Sequence, residues 1–298
     1  ADGDVWRTCL QGLSGMVRRS EKNIGGVIAM TKPLKAILIA VVVLAVLFVV
    51  CGIAFNLIFR YISYSFYTNA KQSAEVDEKV RKLEIGKEKD LVGYASSPDY
   101  TKAKKTVIYF GGSGEIAYNA VLKYGGIFKD EMLVCVDYPG SQESKGSMNL
   151  KTMQEAAVRL YDDIVNLDYV DKNDISVVGY SYGTGIATYL ASERDCSKLV
   201  LVGPYRDIFD LYNKIIPIFN SPFGWFITDN INTKEYAKSV DEKTLIITSD
   251  SDTTIKSAIP YSLAHYFSDA SVTEFKGIEH ADYWSHDEVV AAVRDFIQ

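Results

Sequence analysis

Cysteine, histidine and excess basic charge are all in short supply here, and each shortage excludes something. The four cysteines stand far apart: Cys9 in an N-terminal tail, Cys51 in an apolar run, Cys135 in a strand-like segment and Cys196 near a helix end. None is spaced for zinc or for a disulfide framework, so neither a metal nor a cofactor is expected. Only three histidines are present, His265, His280 and His286, so chemistry that depends on an imidazole has few places to reside. Residues 1–60 hold seven Lys or Arg against three Asp or Glu, which leaves 25 against 35 in the rest of the chain. A body with that acidic balance lacks the basic face that phosphate backbones require, and nucleic acid is not an expected partner. The 298 residues are 48% hydrophobic, enough for one or two folded domains.

The most informative stretch is ISVVGYSYGTGIATYLA, residues 175–191. Ile175, Val177 and Val178 are β-branched and read as a buried strand, whereas Ile186, Ala187, Leu190 and Ala191 recur at helical spacing. Between them lies Gly179-Tyr180-Ser181-Tyr182-Gly183, a G-x-S-x-G turn in the strand-turn-helix context that lets a strained serine project from a sheet. A helix start capped by a serine is the bland alternative, and the rest of the chain argues against it.

Around this centre the segments alternate. Thr106 to Phe110, Met132 to Val136, Lys198 to Val202, Thr244 to Thr248 and Ser271 to Phe275 read as strands. Helices are expected over residues 116–128, 150–167, 257–267 and from His286 to the end. The alternation predicts an α/β fold, a mostly parallel sheet covered by helices, with ligands outside the carboxyl ends of the strands. Residues 204–240 interrupt the pattern and are rich in aromatics, among them Tyr205, Phe209, Tyr212, Phe219 and Trp225. They are expected to form a small lid over a substrate pocket, with packing on the core as the competing reading.

The N-terminal part is different. Residues 1–29 show no sustained periodicity, and Met30, followed by lysines and a long apolar run, is expected to be the natural start. From Ala36 to Phe59 only Asn56 is strongly polar. Twenty-four helical residues extend about 36 Å, enough for a hydrocarbon core of roughly 30 Å. A cleaved signal peptide is the alternative, but the run exceeds the usual length and no A-x-A-like site closes it. Arg18, Arg19, Lys22, Lys32 and Lys35 precede the span and only Arg60 and Lys71 follow it closely, which places the N-terminus in the cytoplasm and the rest outside. The expected organisation is a tail (1–35), a transmembrane helix (36–59), an aromatic then charged stalk (60–90) and a catalytic domain (91–298). The stalk aromatics are expected to anchor at the membrane interface, with a substrate-entry surface as the lesser reading.

A serine hydroxyl needs a base to take its proton and a third group to orient that base. His280, in FKGIEHADYW just after the last strand, is the expected base; His265 lies within a helix and His286 at a helix start. LIITSDSDTTI offers Asp250 and Asp252 as the acid, and Asp252 is preferred because it falls in the loop just before the next helix. Either aspartate could be a turn former. N–H donors for an oxyanion are expected from Tyr182, by its position after the serine, and from the GGSG turn after the first strong strand, at Ser113.

From about Thr106 onward the chain resembles the α/β-hydrolase superfamily, and especially its membrane-anchored serine hydrolases. The resemblance rests on GGSG, then Asp137, Tyr138, Gly140, Ser144 and Gly146, then GYSYG, Asp252, and Gly277 to His280, in that order. One departure is notable: Gly111 stands where these relatives usually carry histidine. The resemblance implies a serine hydrolase that cleaves a carboxylic ester, lipid esters included, through an acyl-enzyme on Ser181. A peptidase or amidase on the same residues and a non-catalytic binding protein on the same fold are the alternatives. The expected partners are a small-molecule or lipid ester and a membrane; the oligomeric state is not read from the sequence.

Overall fold

The computed structural model describes residues 31–213 and 217–298; residues 1–30 of the tail, with the expected start at Met30, lie outside the described residues. Among those residues, eight strands form one sheet in the order β1-β2-β4-β3-β5-β6-β7-β8. They are β1 Val80–Ile85, β2 Leu91–Ser96, β3 Lys104–Phe110, β4 Met132–Val136, β5 Val170–Tyr180, β6 Lys198–Val202, β7 Thr244–Ser249 and β8 Ala270–Phe275. β3 to β8 pair in parallel, whereas β2 runs antiparallel to both β1 and β4 at one edge. Of the parallel strands, β4, β6 and β7 are buried almost end to end because helices cover both faces.

Alternation along each strand sends neighbours to opposite faces. Ile108, Phe110, Val177 and Leu201 join one core beneath the amphipathic helix α3 (Leu150–Ile164) and the almost wholly buried helix α4 (Gly183–Glu193). Val107, Tyr109, Val178 and Ile247 join the other, beneath α2 (Ala117–Tyr124) and α8 (Asp287–Ile297). Asn149 starts α3 with a capping box, accepting from the Thr152 N–H while Thr152 Oγ1 accepts from the Asn149 N–H, so two otherwise orphan donors are satisfied. The short helix α7 (Ala258–Ala264) lies between β7 and β8.

The N-terminal region departs from the sequence reading. One helix, α1, runs Lys32–Thr68 and is long and apolar enough to cross a membrane. The compact unit that contains the sheet begins within it, at Ile53. Tyr64 and Tyr67, expected at a membrane interface, are instead buried, because with Phe59 they fall on one helical face and enter the core beside β3 and β4. Tyr61 and Phe66, on other faces, are exposed. The expected solvated stalk is likewise corrected. Val80–Ile85 carries charges on a strand whose Val80, Leu83 and Ile85 are shielded, and it adds β1 to the sheet through a full register with β2.

Residues 204–240 contain α5 (Ile208–Tyr212), α6 (Thr233–Tyr236) and two 3-10 turns, Pro222–Phe226 and Ala237–Ser239. Tyr205, Ile208, Phe219 and Ile231 are buried, so the segment packs on the core. It is also fastened to α1. Arg60 pairs with Asp229 at 3.0 Å, Tyr64 Oη donates to Asp229 at 2.5 Å, Tyr212 Oη donates to Ser63 Oγ at 2.9 Å, and Asn56 exchanges hydrogen bonds with Thr228.

Candidate active site

The carboxyl ends of β3, β5, β7 and β8 meet at one edge of the sheet, and the loops that follow them bring the expected residues together. Ser181 follows β5 with φ 51°, a left-handed conformation that a side-chain-bearing residue adopts only under constraint. Its N–H donates to Val202 O at 2.9 Å, and α4 begins two residues later. The flanking glycines are required by proximity. A Cβ on Gly183 would lie 2.1 Å from Phe110 O, and one on Gly179 would lie 2.7 Å from Ala187 Cβ. Thus the strand and helix approach closely enough to hold the serine at the tip of the turn.

Ser181 Oγ lies 2.7 Å from His280 Nε2, and His280 Nδ1 lies 2.7 Å from Asp252 Oδ2. Ser181 and Asp252 are buried and His280 is half-buried. Asp252 Oδ1 accepts from the N–H groups of Thr254 and Ile255, and Tyr283 Oη donates to Oδ2 at 3.0 Å. Burial pushes the Asp252 carboxyl up, but the His280 hydrogen bond and charge, aided by these N–H donors, outweigh it and hold it below the usual aspartate value. Asp250 does not reach the imidazole; it accepts from the Gly277 N–H at 2.8 Å and so shapes the loop that carries His280. His265 is exposed at the end of α7, and His286 is the N-cap residue of α8.

His280 is itself held in place. Tyr180 Oη donates to His280 O at 2.7 Å and its ring stacks on the imidazole, while Gly203 leaves room for the ring's other edge. Sequence reasoning missed Tyr180 and Tyr283. Tyr180 could have been suspected from its place inside G-x-S-x-G, but Tyr283 reaches Asp252 only through the fold.

The GGSG turn packs directly against the serine, since a Cβ on Gly112 would lie 3.7 Å from Ser181 Cβ. Among the described residues, the N–H groups of Tyr182 and Ser113 have no hydrogen-bond partner. The neighbouring Gly112 N–H is already used: it donates to Glu115 Oε2 at 2.8 Å, and the same carboxylate accepts from Tyr109 Oη at 3.1 Å and Tyr124 Oη at 2.5 Å. Glu115 also explains Gly111. A Cβ at that position would lie 2.5 Å from Glu115 Oε2, so the space a side chain would need there is filled by a carboxylate reaching back from four residues on. On the other side, Tyr67 Oη donates to Gly112 O at 3.4 Å. That carbonyl shares a planar trans peptide with the Ser113 N–H, so fixing one aims the other in the opposite direction.

The DYPGSQESKG segment contributes structure. Asp137 Oδ1 accepts from the first N–H of α2, at Ala117, at 2.8 Å, while Oδ2 is buried without a hydrogen-bond partner. Burial pushes this carboxyl up to about 7. Ser144 Oγ donates to Asp137 O and accepts from the Val92 N–H, tying the loop to β2. No group of side chains among the described residues is arranged to hold a metal ion.

A mostly parallel sheet with a serine elbow after β5 and its partners after β7 and β8 is the α/β-hydrolase fold. A sequence profile of the alpha/beta hydrolase fold matches residues 129–227. Solved structures agree on the fold. The esterase Pf2001 of Pyrococcus furiosus is 18% identical with a TM-score of 0.58, over 76% of this chain and 95% of that one. Acetyl xylan esterase 1 from Thermoanaerobacterium is 16% identical with a TM-score of 0.56, over 76% and 86%. Est1E from Butyrivibrio proteoclasticus, a protein also solved with ferulic acid bound, is 15% identical with a TM-score of 0.57, over 72% and 97%. No curated protein matches by sequence.

Proposed function

We propose that the protein is a membrane-tethered serine hydrolase that cleaves a carboxylic ester through an acyl-enzyme on Ser181. The observation that carries this reading is the line of two 2.7 Å contacts from Ser181 Oγ through the His280 ring to Asp252. In the reaction, His280 Nε2 takes the hydroxyl proton as Ser181 Oγ attacks the ester carbonyl. Asp252, kept ionised by its donors, holds the Nδ1 proton and stabilises the imidazolium. The carbonyl oxygen becomes an oxyanion facing the N–H of Ser113 in the GGSG turn and that of Tyr182 at the start of α4, where the helix dipole also favours negative charge. His280 then returns the proton to the departing alkoxide, and water activated by the same imidazole releases the acid.

The long apolar α1 supports the tether, and the arginines and lysines before it support an N-terminus in the cytoplasm with the hydrolase unit outside. The aromatic segment at 204–240 and the tether favour apolar acyl groups over peptides.

The test is labelling of the full chain in detergent by a fluorophosphonate probe, followed by turnover of acyl esters and peptide amides. Labelling should map to Ser181, and Ser181→Ala should lose both label and turnover while unfolding at the same temperature as the parent. Retained turnover in that variant would remove Ser181 from its role, and absence of labelling in the parent would favour a binding protein on this fold.

A further inference from the structure

The last turns of α1 and the residues around α5 leave a groove between them with apolar walls. Phe55, Ile58, Ile62 and Phe66 line it from the helix, and Tyr212 and Phe219 face them. The helix positions recur every three or four residues and so form one stripe. We propose that this groove seats the acyl chain of the ester, which makes the substrate class lipid esters with a chain of about a dozen carbons. The inference rests on the serine-hydrolase reading and gives it a substrate class.

The inner end of the groove lies against the candidate oxyanion turn. A Cβ on Gly114 would sit 3.0 Å from Phe66 O, the next residue, Tyr67, donates to Gly112 O, and the Tyr67 ring is 5.9 Å from that of Tyr182. Phe66, at the inner end of the groove, thus stands beside the turn that carries the Ser113 N–H. At the outer end Phe55 contacts Phe219 and Phe223, and the exposed Trp225 follows.

The two walls are fixed before any ligand arrives. Phe59 stacks edge-on against both Tyr212 and Phe219, with centroids 5.0 and 5.5 Å away, and the Arg60–Asp229, Tyr64–Asp229 and Ser63–Tyr212 contacts lock the polar side of the same joint. A preformed site spares a ligand the cost of ordering it.

The chemistry of the walls selects the occupant. Ile58, Ile62 and Phe66 are 57%, 47% and 51% exposed, and they carry the apolar surface of α1 down to the GGSG turn. The Tyr212 hydroxyl is already committed to Ser63, so the walls offer a sugar or a peptide no hydrogen bond, whereas every methylene of an acyl chain laid between them leaves water. The stripe from Phe55 to Phe66 extends about 16 Å at 1.5 Å per residue. Carbon–carbon bonds of about 1.5 Å advance a zigzag chain by roughly 1.3 Å per carbon, which gives about twelve carbons. The helix that forms this wall also carries the apolar run expected in the membrane, which is where such esters reside.

The experiment uses the full chain in detergent and p-nitrophenyl esters from acetate to palmitate. The expected kcat/KM rises to an optimum at about ten to twelve carbons, at least tenfold above acetate. Ile62→Trp, which fills the groove, should move the optimum to about four to six carbons and lower the laurate-to-acetate ratio at least tenfold. A circular dichroism melt checks that the variant is folded. A profile that peaks at acetate, or an Ile62→Trp profile that matches the parent, would overturn the proposal. Should no ester be turned over, a diazirine-bearing twelve-carbon fatty acid separates the two readings. Cross-links to Tyr212 and Phe219 that excess laurate removes would keep the groove and sink the hydrolase, and cross-links elsewhere would sink the groove.

Discussion

Glu115 offers a demanding test of how the candidate site is built. Replacing it with alanine frees the Gly112 N–H and two tyrosine hydroxyls, of Tyr109 and Tyr124, from their shared acceptor. Buried donors left without partners cost roughly 1–3 kcal/mol each, but the Glu115 side chain is 22% exposed and water can re-enter, so the loss of stability should be about 1–3 kcal/mol in all. The kinetic effect is separate. Losing one oxyanion donor outright costs a factor of about 100 to 1,000. In Glu115→Ala the Ser113 N–H is displaced and not deleted, because Tyr67 still holds the Gly112 carbonyl of the same peptide. A fall in kcat of about tenfold to a hundredfold follows, equivalent to about 1.4–2.7 kcal/mol in the barrier. KM should change by less than about threefold, since the donor acts on charge that develops only in the transition state. The assay is ester turnover at saturation beside thermal unfolding of the same preparations. Glu115→Gln keeps an oxygen facing the Gly112 N–H and should recover kcat to within about tenfold of the parent. If Glu115→Ala were folded and turned over at the parent rate, the turn would not depend on this carboxylate and the reasoning would fail.

Two further outcomes follow from the carboxylates. Asp252→Asn should lower turnover by about four orders of magnitude, as loss of the orienting acid does in such triads, whereas Asp250→Asn, which only disturbs a loop contact with Gly277, should cost less than about tenfold. Equal losses would transfer the orienting role or remove it from both. Asp137 has a folded pKa pushed up to about 7 by burial, against about 3.9 when unfolded, so between those values the folded state binds the extra proton and stability falls as pH rises, levelling above about 7. Urea unfolding at pH 5 and 8 should therefore show a loss in the parent, on the order of 2–4 kcal/mol, that Asp137→Asn lacks; the same loss in both would refute it.

What the sequence disclosed was what local chemistry determines. β4 and β6 match their expected bounds because short β-branched runs between turn residues have little else they can form. The G-x-S-x-G elbow was legible for the same reason: glycines at 179 and 183 answer to contacts with Ala187 and Phe110 that any such strand-turn-helix must make. Ser181, Asp252 and His280 could be proposed from chain order because each follows its own strand. β1 escaped notice because its charged residues alternate with shielded ones at the sheet edge, and a charge-rich segment reads as solvated until its partner strand is known. Glu115 was overlooked for a similar reason. Its partners are a backbone N–H three residues back and two tyrosines on different elements, and no spacing rule connects them.

The helix α1 shows where hydropathy reasoning stops. A transfer scale sums residues over a window and records that the run from Ala36 to Phe59 is apolar, but it does not record which face each residue occupies. The distinction decides the meaning of the residues from Ile53 to Thr68. Phe59, Tyr64 and Tyr67 face the core, Asn56, Arg60 and Ser63 reach Thr228, Asp229 and Tyr212, and Ile58, Ile62 and Phe66 face the groove. A boundary at residue 91 would cut β1 from β2 and take Tyr67 away from Gly112, whereas the compact unit begins at Ile53. The last turns of the helix are therefore part of the compact unit that holds the sheet. Since Tyr67 orients the peptide that carries the Ser113 N–H, the element expected to attach the protein to a membrane also helps to shape the turn beside Ser181.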